Sequence, residues 1–313
     1  MSLFETLAQP RKIPSFRMRL LSAVAGTLAQ RGSKRASDLA RDRRANDKFT
    51  SWLKVPDGAV LSNESIGGVP VIRVSSGNAA NATVLHIHGG AYVMGTARQV
   101  LVNAALCLHG GPDLVSVEYR LAPEHPYPAA LDDVFAVYRE LVTRLGAERL
   151  VVLGESAGGG LLLLVLQRAL SEGLPMPSVA LAAYPWADLT MSGRSATANA
   201  GKDMLVRSGL LEQASWFAAE LDAADARLSP VFGSFRGFPP TYIAVGSHDL
   251  LLDDARRVAN AMKRDDVDVC LEEWPGAIHG FNAVPVPEAR EYNRRIRSII
   301  DWVLANEPRP DPN

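Results

Sequence analysis

Ser156 lies in Gly154-Glu155-Ser156-Ala157-Gly158, with Gly159 and Gly160 directly after it. The run from Arg149 is apolar, breaks at Gly154 and becomes apolar again in "LLLLVLQ". A serine in G-x-S-x-G between a strand and a helix is the setting of an exposed, activated hydroxyl. The sharp turn lifts Oγ, and backbone passes so close that the residues two before and two after must be small. Glycine inside a helix costs about 1 kcal/mol relative to alanine. Three in a row at a helix start therefore point to a close approach by the sheet or by a ligand. The helix N-terminus also offers unpaired N–H groups to negative charge. The stretch is no phosphate loop, since no Lys-Ser/Thr follows, and G-x-G-x-x-G is absent from the chain.

A serine hydroxyl is a weak nucleophile and needs a base, an orienting acid and donors for the oxyanion. On a strand–turn–helix serine the chain order is Ser, then Asp or Glu, then His. Two histidines follow Ser156, namely His248 and His279. His279, in "WPGAIHGF" after the last strand-like run, is read as the base. His248 adjoins Asp249, and neighbours rarely orient one another, so Asp249 is read as the acid. Asp253 and Asp254 compete for that role but read as first-turn helix acids. The oxyanion donors are placed at Gly89 and Gly90 in "HIHGGAYVMG", with the Ala157 N–H as the third. His86 and His88 sit two apart on a strand, but nothing nearby completes a ligand set, so no metal is expected.

These groups need a scaffold. "AVLSNESIGGVPVIRVSSG" reads as two antiparallel strands around Gly67-Gly68. "TVLHIHGG", "DLVSVEYR", "RLVVLGES", "SVALAAYPW", "PTYIAVGSHD" and "VDVCLEEWPG" are short apolar runs that alternate with helical patterns, such as Leu131, Val134, Phe135, Tyr138 and Leu141. That alternation predicts an α/β chain with a mostly parallel eight-stranded sheet, helices on both faces and a ligand site at the strands' carboxyl ends. Residues 1–55 carry no strand pattern and are read as N-terminal cap helices. The catalytic domain is read as 56–313, with a cap insertion at about 188–235. Leu20, Leu21, Val24, Ala25 and Leu28 recur at helical spacing, which predicts an amphipathic helix packed on the domain rather than a signal peptide.

The chain has 313 residues, 47% of them apolar, and a net charge of -1. A large core is expected, and nucleic acid or acidic lipid is not expected as a main partner. No apolar run is long enough to cross a bilayer. Cys107 and Cys270 belong to no Cys-x-x-Cys or Cys/His cluster and fit buried thiols in a cytoplasmic protein.

"HGGAYVMG", "YRLAPEHPYPAALDD", "GESAGGG", "YPWADLT", "VGSHDLLLDDA" and "WPGAIHGF" follow one another between Val84 and Phe281. With these pieces the chain resembles the hormone-sensitive-lipase-like bacterial carboxylesterases of the α/β-hydrolase fold. The resemblance implies a triad of Ser156, Asp249 and His279, with Gly89, Gly90 and Ala157 as oxyanion donors. It also implies an N-terminal cap, short-chain esters as substrates, no cofactor and a homodimer through the edge of the last strand. Three positions depart from the family pattern. Ala91 replaces the usual third glycine, Glu155 stands where aspartate is common, and Leu250 stands where many relatives have proline. "VGSHDLLLDDA" is also similar to relatives that hydrolyse monoterpene lactones, which implies a cyclic ester as a further substrate type. Trp186, Leu205, Trp216, Phe217 and Ile278 are candidate walls of the substrate pocket, and core packing is the competing reading for each. A non-catalytic receptor on the same fold is the rival reading, and such receptors lose the histidine that is present here as His279. Amide hydrolysis by the same triad is not separated from ester hydrolysis by the sequence.

Overall fold

The computed structural model describes Phe4 and residues 13–32, 38–77 and 82–306. Eight strands are present: β1 (Val60–Ile66), β2 (Val69–Ser75), β3 (Thr83–Ile87), β4 (Asp113–Val117), β5 (Leu150–Glu155), β6 (Val179–Ala183), β7 (Thr241–Gly246) and β8 (Val269–Trp274). The helices are α1 (Phe16–Gly32), α2 (Leu39–Trp52), α3 (Ala129–Leu145), α4 (Ala157–Ser171), α5 (Ser195–Ala198), α6 (Arg207–Ala218), α7 (Leu252–Arg264) and α8 (Pro287–Asn306). All eight strands form one sheet in the order β1-β2-β4-β3-β5-β6-β7-β8. β1 and β2 pair antiparallel across Gly67-Gly68, and β2 is antiparallel to β4. The remaining pairs are parallel.

The mostly parallel sheet inferred from alternation is therefore present, for the expected reason. β3, β5, β6 and β7 are buried at every residue, as strands covered on both faces must be. Crossover handedness sorts the helices. Steps to the right along the sheet carry α3, α4 and α7 on one face. The leftward β3-to-β4 step and the chain after β8 lie on the other, where Arg297 of α8 donates to the Leu108 carbonyl at 2.8 Å. Leu131, Val134, Phe135, Tyr138 and Leu141 are buried on α3, as their spacing predicts. Cys107 and Cys270 are free thiols, the first buried and the second partly so. Among the described residues no helix is long and apolar enough to cross a membrane.

Helix α1 corrects one expectation. The helix forms and packs on the domain, but of its predicted apolar stripe only Leu21 packs partly against the core, with Ala25 half-buried. Met18, Ser22 and Gly26 face the protein, whereas Leu20, Val24 and Leu28 are exposed. The inward face is fixed by polar and close backbone contacts. Ser15 donates through N and Oγ to Glu288, and Ser22 Oγ donates to the Lys202 carbonyl. A Cβ on Gly26 would collide with the Gly201 carbonyl.

Candidate active site

Four loops at the carboxyl edge of the sheet converge. Ser156 follows β5 and is the turn residue before α4, with φ 57° and ψ −121°. This left-handed conformation is one that non-glycine residues rarely adopt. Small neighbours make the turn fit. A Cβ on Gly158 would collide with the carbonyl oxygens of Ile87 and His88 at the end of β3. Gly159 lies against Pro185, and Gly160 against the Trp186 carbonyl and the Tyr92 hydroxyl. The three glycines thus exist because two neighbouring loops press onto the first turn of α4.

His279, after β8, approaches Ser156 with Nε2 at 2.8 Å from Oγ. Its Nδ1 lies 2.9 Å from Oδ2 of Asp249, which follows β7 and is fully buried. A carboxylate only accepts, so Nδ1 carries the proton and Nε2 is free to receive one from Ser156. Asp249 Oδ1 accepts from the Leu251 N–H at 2.8 Å, and Asn199 Nδ2 holds the Asp249 carbonyl at 2.9 Å. Burial disfavours a charged His279, but the charge of Asp249 and its hydrogen bond outweigh this, and the pKa lies above the ordinary 6.5.

Gly89 faces the Ser156 turn from the loop after β3, with Gly90 next to it. A Cβ on Gly89 would stand 3.1 Å from Ser156 Cβ, so the loop touches the nucleophile turn. The N–H groups of Gly89, Gly90 and Ala157 have no protein acceptor among the described residues. Ala91 occupies the left-handed region with φ 52°, so alanine completes the turn where glycine is usual, at a strain of about 1–2 kcal/mol. His88 braces the loop by donating from Nδ1 to the Gly89 carbonyl at 2.8 Å, and burial pushes its pKa down to about 3. His86 pairs with Ser116 instead. The two histidines therefore serve the scaffold, and among the described residues no group of three or more His, Cys, Asp or Glu could hold a metal.

A family model described as the alpha/beta hydrolase fold matches residues 84–283. The chain belongs to the α/β-hydrolase fold family. An acetyl-hydrolase of Streptomyces hygroscopicus is 34% identical over 239 residues, covering 75% of this hydrolase and 79% of that protein. The carboxylesterase NlhH of Mycobacterium tuberculosis is 34% identical over 231 residues, covering 68% and 70%. Among solved structures, the hormone-sensitive-lipase homologue EstE7 from a metagenome library superposes with a TM-score of 0.85. It shares 31% identity, over 92% of this chain and 98% of that one. A hormone-sensitive lipase from a metagenome library gives a TM-score of 0.86 at 32% identity, over 94% and 99%. The family placement made from sequence motifs is thereby shown.

Three further groups shape this hydrolase's site: no motif announced Asp203, while Tyr184 and Glu155 stood in the quoted "YPWADLT" and "GESAGGG" stretches without a role read for them. Asp203, fully buried in the connection between β6 and β7, accepts from the main-chain N–H of His279 at 2.9 Å and of Leu250 at 3.0 Å. Burial and the charge of Asp249 push its carboxyl up to about 6. Tyr184 sets its ring edge-on to His279 at 4.6 Å and donates to Asn282 Oδ1 at 2.6 Å. Glu155 accepts from Asn282 at 2.6 Å and Asn103 at 3.1 Å, with His86 at 3.5 Å. Burial raises its pKa, but His86 and the two amides leave it below the ordinary value. Glu155 thus ties the loops after β5 and β8 together beneath the site. Asp253 and Asp254 are structural: Asp253 accepts from Ser195 N–H, Asp254 from Ala187 and Asp188 N–H.

The candidate pocket residues divide. Trp186 and Phe217 have no exposed surface and pack around Tyr92, with ring centroids 5.5 and 4.0 Å away. Leu205 and Trp216 are partly buried against the core, and Ile278 is buried directly before His279.

Proposed function

We propose that this protein is a carboxylic ester hydrolase that acts on short-chain acyl esters through an acyl-enzyme on Ser156. The observation that carries the reading is the unbroken path from Asp249 to His279 to Ser156 Oγ, at 2.9 and 2.8 Å. His279 Nε2 takes the Ser156 proton as Oγ attacks the ester carbonyl. The N–H groups of Gly89, Gly90 and Ala157 receive the developing oxyanion, and each such donor is worth about 3 kcal/mol in the transition state. His279 returns the proton to the leaving alcohol. Water then gives a proton to His279 as its oxygen attacks the acyl carbon, Ser156 Oγ leaves and takes that proton back, and the carboxylic acid departs. Asp249 fixes the Nδ1–H tautomer and offsets the imidazolium charge.

Helices α1 and α2 with the 188–235 insertion form the cap in this reading. Arg43 of α2 supports it by donating to the Val93 carbonyl at 2.8 Å and the Ala122 carbonyl at 2.9 Å, beside the oxyanion loop. The buried Tyr92, Trp186 and Phe217 cluster adjoins the Ser156 turn, where the Trp186 N–H donates to the Ser156 carbonyl at 3.0 Å, and in this reading it bounds an acyl site for short groups. A lactone is the same chemistry with acyl and alcohol joined.

Ser156→Ala is the test. Turnover of p-nitrophenyl acetate and butyrate is expected to fall by about a million-fold, with unchanged folding. Retained turnover in that variant, or a preference of the unaltered protein for long-chain over short-chain p-nitrophenyl esters, contradicts the reading.

A further inference from the structure

Among the described residues the outward face of α1 has no partner. Ile13, just before the helix, and Phe16, Leu20, Val24 and Leu28 are 49–74% exposed. From Phe16 onward they recur every four residues and so form one stripe along the helix. A helix that only covers a protein buries such a stripe. Here the inward side carries Met18, Ser22 and Gly26, the last two fixed by the contacts described above. The apolar surface is turned away from the core and held there.

The charge of this helix is one-sided. Phe16–Gly32 contains Arg17, Arg19 and Arg31 and no acid. Arg17 and Arg19 are exposed and have no ion-pair partner among the described residues. By helical spacing Arg17 lies among the stripe residues and Arg19 at its margin. Arg11 and Lys12 precede the helix in sequence. The near-zero charge of the whole chain, which argued against acidic lipid, averages over this segment. An apolar stripe with unpaired arginines beside it is the composition of a helix that lies in the plane of a lipid–water boundary. A second copy of the chain fits less well, because a twofold contact through this face would set two acid-free, arginine-bearing helices against each other.

We propose that α1 docks this protein on anionic lipid surfaces, with Phe16, Leu20, Val24 and Leu28 entering the acyl boundary and Arg17 and Arg19 meeting lipid phosphates. The inward face of the same helix touches the loops that carry the acid and the base. Ser22 Oγ lies 2.8 Å from Nδ1 of His248, the residue before Asp249, and Pro14 rests against Gly276, three residues before His279. Docking therefore brings those loops to within about one helix diameter, ~10 Å, of the lipid, where apolar esters concentrate.

Flotation of the full-length protein tests this, with vesicles of phosphatidylcholine alone and of equal parts phosphatidylcholine and phosphatidylglycerol. The protein is expected to float with the mixed vesicles and to stay behind with phosphatidylcholine alone. Phe16→Ser with Leu20→Ser, and separately Arg17→Glu with Arg19→Glu, are each expected to reduce the partition coefficient about tenfold or more. Turnover of dissolved p-nitrophenyl acetate stays unchanged in both. Three results would overturn the proposal: no flotation of the unaltered protein with mixed vesicles, equal flotation of the Phe16/Leu20 variant, or a dimer that this variant converts to monomer. None depends on the acyl-transfer reading, which stands or falls on Ser156.

Discussion

At the scale of residues, two carboxylates act on one imidazole. Asp249 meets the ring, and Asp203 grips the main-chain N–H of the same residue and of Leu250, which follows Asp249. In the proposed reaction His279 must be neutral to accept the serine proton. Its pKa is raised, so neutrality is reached only above 6.5, and the acid limb of kcat/KM is expected above that pH. Asp203→Asn removes one negative charge that favours imidazolium. In that variant kcat is expected to fall about tenfold, and the acid limb to move to lower pH by about one pH unit. A pH–rate profile decides: an unmoved limb makes Asp203 a loop brace alone. The sequence made Ser156, Asp249, His279, Gly89 and Gly90 legible because their order and strand-end positions follow from the turn chemistry. Asp203 was not legible, because it reaches the site across the fold from a segment with no local pattern. Tyr184 stood in the quoted "YPWADLT" stretch at the end of β6, but its place beside His279 comes only from the packed structure.

At the scale of elements, the periodicity of apolar residues identified α1 as a helix but not which side it turns inward. The predicted stripe of Leu20, Leu21, Val24, Ala25 and Leu28 looked like a core face, yet Leu20, Val24 and Leu28 are exposed, and the contact face is carried by Met18, Ser22 and Gly26, of which Met18 alone gives a hydrophobic signal. The glycine run of α4 shows the opposite. Its meaning was readable, since three glycines at a helix start require a close neighbour, and the neighbours are Ile87, Pro185 and Trp186. Gly158→Ala forces a methyl into backbone carbonyls that cannot rotate away. It is expected to destabilise the fold by about 1–3 kcal/mol and to lower turnover by shifting the oxyanion loop from Ser156. Urea unfolding and initial rates measured together check this, and wild-type values in both would refute the close approach.

At the scale of the whole molecule, one sheet sets the geometry. Parallel strands bring their carboxyl ends to one edge, so residues separated by more than a hundred positions meet there without a long-range signal in the sequence. That is why strand–helix alternation pointed to this edge of the sheet, while the motifs named the candidate residues on it. Among the described residues the same sheet ends at β8, and we propose that this edge, with the partly exposed Val269, Cys270 and Leu271, receives a second copy. Sedimentation equilibrium at micromolar concentration is expected to give the mass of a dimer, and a monomer mass would remove β8 as an interface.

Peptide mapping after treatment with a fluorophosphonate, run in parallel on the unaltered protein and on His279→Ala, probes the Asp249–His279–Ser156 path most directly. The label is expected on Ser156 alone in the unaltered protein and is expected to be lost, or slowed by at least a thousand-fold, without the imidazole. A label on another residue, or equal labelling of Ser156 in both proteins, would contradict acyl transfer driven by His279.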